Sequence, residues 1–356
     1  MQAPPGRAHP SKEELVSATQ LPPTQSVEST SAPAQKRRPV WLRVVASPIA
    51  GTSMALIAVC CVLSAIAPDF ATVGNVLNVL LAASTLTILA CGLTVALIAG
   101  EIDLSVGSVE ALTGSAAAVM IVAYGIPWPL AIVGGIAVGA ATGLVNGIVA
   151  TRFSVPSFVA SLAMLSVASG AANLLTNGTS VFGLGSQFGY LGTGKVLSIP
   201  VPVVIAGVVA LGLAVTLRKT TFGLDVYAVG GNREAARLSG VSISSVKVRV
   251  LVLSGALAGL AGLIIAARLD SGSGTVGTQD LMAAIAAVVI GGTSLNGGIG
   301  SIGGSVVGAL LIATIQNGLV LMDITAFWQQ VAIGSLILIA ALLERLSKLT
   351  IGGKPA

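Results

Sequence analysis

The stretch GEIDLSVGSVE at residues 100–110 sets Glu101, Asp103 and Glu110 between apolar runs; from Val44 to Ala99 the only other formal charge is Asp69. A carboxylate at bilayer depth is costly, so it lies at an edge, caps a helix or lines a polar passage. Asp103 or Ser105 can cap the free N–H groups of a helix that starts at residue 106. Glu110 comes seven residues after Asp103 and so falls on the same helical face. Asp103, Ser105 and Glu110 are therefore candidates for a polar passage. A second candidate is GGTSLNGGIGSIGG at residues 291–304, which holds Gly292, Thr293, Asn296 and Gly297. Glycines and small polar residues break a helix, and such breaks are tolerated in lipid only where they line protein or water.

The same inventory argues against catalysis. No Ser stands with a His or Lys inside the apolar runs, and the single histidine, His9, lies in a polar tail. Cys60, Cys61 and Cys91 all fall in apolar runs without metal-ligand spacing, which predicts small buried hydrophobes. No catalytic or metal-binding residue is assigned. GYLGTGKV at 189–196 misses the phosphate-binding loop because Val196 stands where Ser or Thr would reach magnesium. GIGSIG at 298–303 has dinucleotide-loop spacing but opens an apolar helix, so the chain has no ATP site and no cofactor of its own.

The elements that position these residues follow from composition. Of 356 residues, 54% are hydrophobic and 9% charged, with mean hydropathy +0.96. Soluble domains carry roughly 25% charged residues. The expected fold is an all-α, polytopic transmembrane bundle with broken or re-entrant helices. Apolar runs of spanning length fall at 44–67, 76–99, 106–124, 127–150, 155–175, 199–217, 250–267, 302–321 and 326–343, with a shorter one at 281–291. Counting the short piece gives about ten spans and puts both termini in the cytoplasm. The bias of basic residues agrees: Lys36, Arg37, Arg38 and Arg43 precede the first run, and only Lys195 and Arg268 fall outside. The net charge of +5 reflects that bias and is not a nucleic-acid signal. Residues 1–40, rich in Pro, Ser, Thr and Gln, predict a disordered cytoplasmic tail. The transmembrane domain covers 41–348, and 349–356 is a second cytoplasmic tail.

The most charged polar segment is the cytoplasmic loop 218–249. Asn232 can cap a short helix from Arg233, and Gly240 can end it. A short amphipathic helix offered to the cytoplasm reads as a docking element. An ion-coupled secondary transporter of a small polar solute is the rival reading. It would pair its embedded acids with basic residues, which are essentially absent from the span interiors.

Three blocks resemble the membrane permeases of bacterial ABC importers for ribose, xylose and related monosaccharides: residues 91–118, 220–264 and 283–319. With flanking spans the likeness covers about residues 42–345. The resemblance implies import of a pentose or hexose across the bacterial cytoplasmic membrane. It also implies a separate cytoplasmic ATPase that holds ATP and magnesium, an extracytoplasmic sugar-binding protein, and a second permease subunit, as a homodimer in lipid. GGNREAARLSG resembles the family's ATPase-contacting segment, which extends that role to Gly231, Asn232, Glu234, Ala235 and Gly240. Position 101 is Glu where many relatives have Gly.

Overall fold

The computed structural model describes residues 48–351, and its described part is almost entirely helical. Ten helices form the bundle: α1 (Pro48–Ile66), α2 (Val73–Ile98), α3 (Val106–Val122), α4 (Trp128–Arg152), α5 (Ser157–Leu175), α7 (Val201–Lys219), α10 (Ile243–Leu269), α11 (Asp280–Ile290), α12 (Ile302–Leu321) and α13 (Ala326–Ile351). Three short helices link them: α6 (Ser186–Thr193), α8 (Thr221–Gly231) and α9 (Arg233–Leu238). The strands are two-residue pieces: β1 (Val181–Phe182) pairs antiparallel with β4 (Ser271–Gly272), and β2 (Lys195–Val196) with β3 (Ile199–Pro200). The predicted tail 1–40 with its basic cluster, and residues 352–356 of the predicted C-terminal tail, lie outside the described residues.

Among the described residues, seven helices are long and apolar enough to cross a membrane, and α3, α11 and the first part of α13 are shorter apolar helices. Proline starts α4, α5 and α7 from Pro127, Pro156 and Pro200, where a fixed φ and a missing N–H cost nothing. α2 and α10 form the centre, 89% and 72% of their most apolar windows being buried, against 11% for α1 and 17% for α7. Hydrophobicity is similar all round these helices, so the buried ones are distinguished by small residues. Gly135, Gly139, Gly143 and Gly147, four apart on α4, meet α10 at Leu263, Gly255, Leu251 and Val248. A Cβ on Gly139 or Gly143 would run into an α10 carbonyl. Close backbone approach replaces the hydrophobic driving force that lipid removes.

Two sequence expectations need correction. The segment 218–249 is mostly helix: α7 continues to Lys219, α8 and α9 fill the middle, and α10 begins at Ile243, seven residues before the predicted span. Caps explain this. Thr220 accepts from Gly223 N–H at 3.3 Å and Ser242 from Ser245 N–H at 3.4 Å.

The second concerns the residues between Arg268 and the short run at 281–291, which the apolar runs leave as a connection. They enter the bundle instead. Gly272 packs on Ala118 and Ser115 of α3, and Gly277 on Gly107 and Glu110, so residues 271–279 run down α3 in non-helical form. The 11 residues of α11 rise about 16 Å, half of the ~30 Å hydrocarbon core. Residues 271–279, a two-residue strand followed by turns, lie beside α3 from Ala118 to Gly107.

Candidate functional site

Gly100 ends α2 with φ +75°, its N–H bonding Leu97 O at 2.9 Å while Glu101 N–H bonds Ala96 O at 2.9 Å. This turn brings Glu101 beneath α9 and α10. The Glu101 side chain is only 1% exposed, yet its Oε1 receives both Arg233 Nη2 of α9, at 2.8 Å, and Lys247 Nζ of α10, at 2.9 Å. Arg233 also donates to Gly100 O at 3.0 Å. One buried acid thus ties the end of α2 to both α9 and α10. Breaking such a pair strands charges in a poorly solvated place.

Glycines close the same node. Gly298 N–H donates to Ile98 O at 2.9 Å. A Cβ on Gly297 would lie 2.9 Å from Gly230 O and 3.0 Å from Gly100 Cα, and one on Gly298 would lie 2.9 Å from Gly231 Cα. Gly292, Gly297 and Gly298 all have φ between +74° and +87°, where a side chain is strained. Tyr227 of α8 donates from its hydroxyl to Gly300 O at 2.8 Å. Burial pushes the Tyr227 phenol up, opposed by Arg218, so the donor stays protonated. The break 291–301 is therefore clasped to the α8–α9 pair on one side and to the end of α2 on the other.

The α8–α9 pair matches the local expectation. Asn232 ends α8 and caps α9, its Oδ1 accepting Ala235 N–H at 3.0 Å. Gly240, at φ +83°, closes α9 with Gly240 N–H to Arg237 O and Val241 N–H to Ala236 O, both 3.0 Å. Among α9 residues only Ala236 is buried; Glu234 and Leu238 face outward, and Glu234 pairs with Arg237 at 2.7 Å.

The acids of the opening stretch separate into different environments. Asp103 is buried, its Oδ1 accepting Ser105 N–H at 3.0 Å and Ser105 Oγ–H at 2.6 Å, and its Oδ2 accepting Ser254 Oγ–H of α10 at 2.8 Å. Asn146 of α4 donates to Ser105 Oγ at 3.1 Å. Helices α4 and α10 thus meet the entry to α3 through a saturated polar hub. Capping of α3 by these side chains does not occur: Ser105 occupies the cap position, but its hydroxyl is turned to Asp103. Ser157 and Ser161 of α5 receive the N–H groups of Ile102 and Leu104 at 3.2 and 3.0 Å, which is how a non-helical stretch survives inside the bundle. Glu110 is also fully buried but stands apart from this hub, against Gly262 and Gly277. In the other break Thr293 is buried beside Gly300, while Asn296 is exposed.

Sequence reading missed Glu101, Arg233 and Lys247 as a unit, and Ser254 and Asn146 as partners of Asp103. A signal existed for the first group: a lone acid at a span end needs a cation, and the adjoining polar segment is rich in them. Ser254 and Asn146 carried no signal, because one polar residue in an apolar helix does not reveal which neighbour it faces.

Against known proteins, residues 75–341 match the model of the family described as branched-chain amino acid transport system / permease component. The ribose import permease protein RbsC of Escherichia coli K12 is 40% identical over 295 residues, covering 82% of this chain and 92% of that protein. The L-arabinose ABC transporter permease protein AraH of Azospirillum brasilense is 36% identical, covering 90% of this chain and 93% of its own. The xylose transport system permease protein XylH of Escherichia coli K12 is 32% identical, covering 77% and 85%. No solved structure matches. These relatives are transport permeases, not enzymes, and they do not favour the ion-coupled reading. With its helical bundle and with three quarters of its length inside one family model, the chain belongs to the branched-chain amino acid transport system / permease component family.

Proposed function

We propose that the chain is the permease subunit of an ATP-driven importer that carries a monosaccharide, of the aldopentose class named for its relatives, across the bacterial cytoplasmic membrane. It crosses about ten times with both termini in the cytoplasm, its 271–279 stretch and α11 sharing one crossing. ATP and magnesium belong to a separate cytoplasmic ATPase, a sugar-binding protein delivers solute from outside, and a second copy of the chain completes the pathway in lipid. Residues 1–40 and 349–356 flank the permease domain 41–348 on the cytoplasmic side, with α13 running on to Ile351.

The observation that carries this reading is the node at Glu101. A rigid two-helix element, exposed on one face, is clamped on its other face to the end of α2 and to the break before α12. Such an element can convert movement of a partner into movement of the spans. In this role Gly231, Asn232, Glu234, Ala235 and Gly240 present the docking surface, and Gly292, Thr293, Asn296 and Gly297 form the flexed connection. Asp103, Ser105 and Glu110 lie further along the pathway.

The test is reconstitution of the chain with its ATPase and binding protein in liposomes, followed by uptake of labelled ribose, arabinose and xylose. ATP-dependent uptake of one of them is expected. Uptake by the chain alone, driven by an ion gradient, would overturn the proposal.

A further inference from the structure

Inside the bundle, both oxygens of the fully buried Glu110 carboxyl lack a hydrogen-bond partner. The group borders a cavity of about 10 Å³ whose lining includes Gly114, Gly262, Ser271, Gly272 and Ser273. That is room for about one water. One wall is the 271–279 stretch, and Gly277 lies so near that a Cβ there would sit 3.0 Å from Glu110 Oε2. No Lys, Arg or His lines the cavity.

A carboxyl group in this state works against the fold, and a well-packed apolar side chain would serve the closed structure better. Its presence makes sense if the group finds partners in another conformation. The seam beside it has little to hold it: α3 meets residues 271–279 backbone against backbone, where Gly277 faces Gly107 O and Gly272 faces Gly114 O. Half-helices that begin mid-bundle recur where transporters hold solute.

We propose that this seam opens during the transport cycle into a binding station for a polyhydroxylated solute, in which Glu110 accepts hydrogen bonds from neighbouring hydroxyls and Ser271 and Ser273 line the approach. The proposal rests on the chain's being a monosaccharide permease and adds where the sugar is held. Vicinal hydroxyls fit two free carboxylate oxygens. A metal ion fits less well, because no group of three or more His, Cys, Asp or Glu side chains gathers among the described residues.

Glu110→Leu and Glu110→Gln in the reconstituted three-component transporter test this, with ribose, arabinose and xylose as probes. Glu110→Leu is expected to reach the membrane with an unchanged or raised melting temperature while uptake falls more than tenfold. Glu110→Gln, which keeps hydrogen-bonding atoms, is expected to raise KM for the sugar with a smaller loss. Glu110→Leu transport at the wild-type rate would overturn the station, and so would a parallel fall of melting temperature and uptake, which would make Glu110 a structural prop. Wild-type liposomes that import none of the three sugars would instead refute the monosaccharide reading itself.

Discussion

Two interruptions flank α11, and they differ in how their polar groups are treated. The break at 291–301 is anchored: Gly298 bonds Ile98, Gly300 accepts from Tyr227, and the neighbouring Glu101 holds two cations. The stretch 271–279 is anchored mainly at its outer end, where β4 pairs with β1, and lower down it faces the unpartnered Glu110. The first suits transmission of force, because a clamp of fixed length passes displacement on. The second suits opening, because little is lost when glycine backbones separate.

The largest effect should come from putting a side chain into the clamp. Gly297→Val forces a branched residue to φ +87° and into Gly230 and Gly100. Uptake should be abolished while protein still reaches the membrane, and Gly292→Val, also at φ +87°, should behave alike. Normal uptake by both would show an ordinary linker, and the contrast between the two breaks would vanish.

Next in size is Glu101→Ala. Removing one partner of a buried ion pair costs about 3–5 kcal/mol, and the lower end applies because Arg233 is half exposed and partly rehydrates. A melting temperature lowered by several degrees is expected, together with ATP hydrolysis that no longer tracks uptake. Lys247→Met should reproduce more of this loss than Arg233→Met, because Lys247 is 17% exposed and Arg233 50%.

A smaller effect on the fold is expected from Glu234→Lys. It removes a first-turn carboxylate worth about 0.3–1 kcal/mol to α9 and an exposed pair with Arg237 worth little. The fold should therefore survive, while co-purification with the ATPase should fail, since like charges opposed at an interface cost several kcal/mol. Retained co-purification and transport would remove α9 from the docking surface.

The least disturbing probe is labelling. In a cysteine-free background, Ser198→Cys, exposed between β2 and β3, should react with an impermeant thiol reagent added outside intact cells, and Asn296→Cys and Ser245→Cys should not. Reaction of either Asn296→Cys or Ser245→Cys would place the anchored break on the wrong side.

Much of α9 was legible because its signals are local. Asn232 as cap, Gly240 as stop and Glu234 in the first turn act within one or two turns of chain, and the structure reproduces each. The hub around Asp103 was legible only as a polar oddity, since Ser254 is 151 residues away in sequence.

Sequence alone determined the membrane class and the helical bundle, because too few charges exist to cover a water-facing surface and apolar runs must then pair their own backbone groups. It also determined the caps and the positions of the glycines. Tertiary structure decided what those glycines are for. The period-four glycines of α4 pack against α10, Gly297 and Gly298 close a clamp, and Gly272 and Gly277 admit a non-helical chain beside α3. It likewise decided that Glu101 is neutralised while Glu110 is left without a partner. The physical reason is that composition and capping are read within a few residues, whereas the cost of a buried charge depends on which distant atoms the packed helices bring beside it.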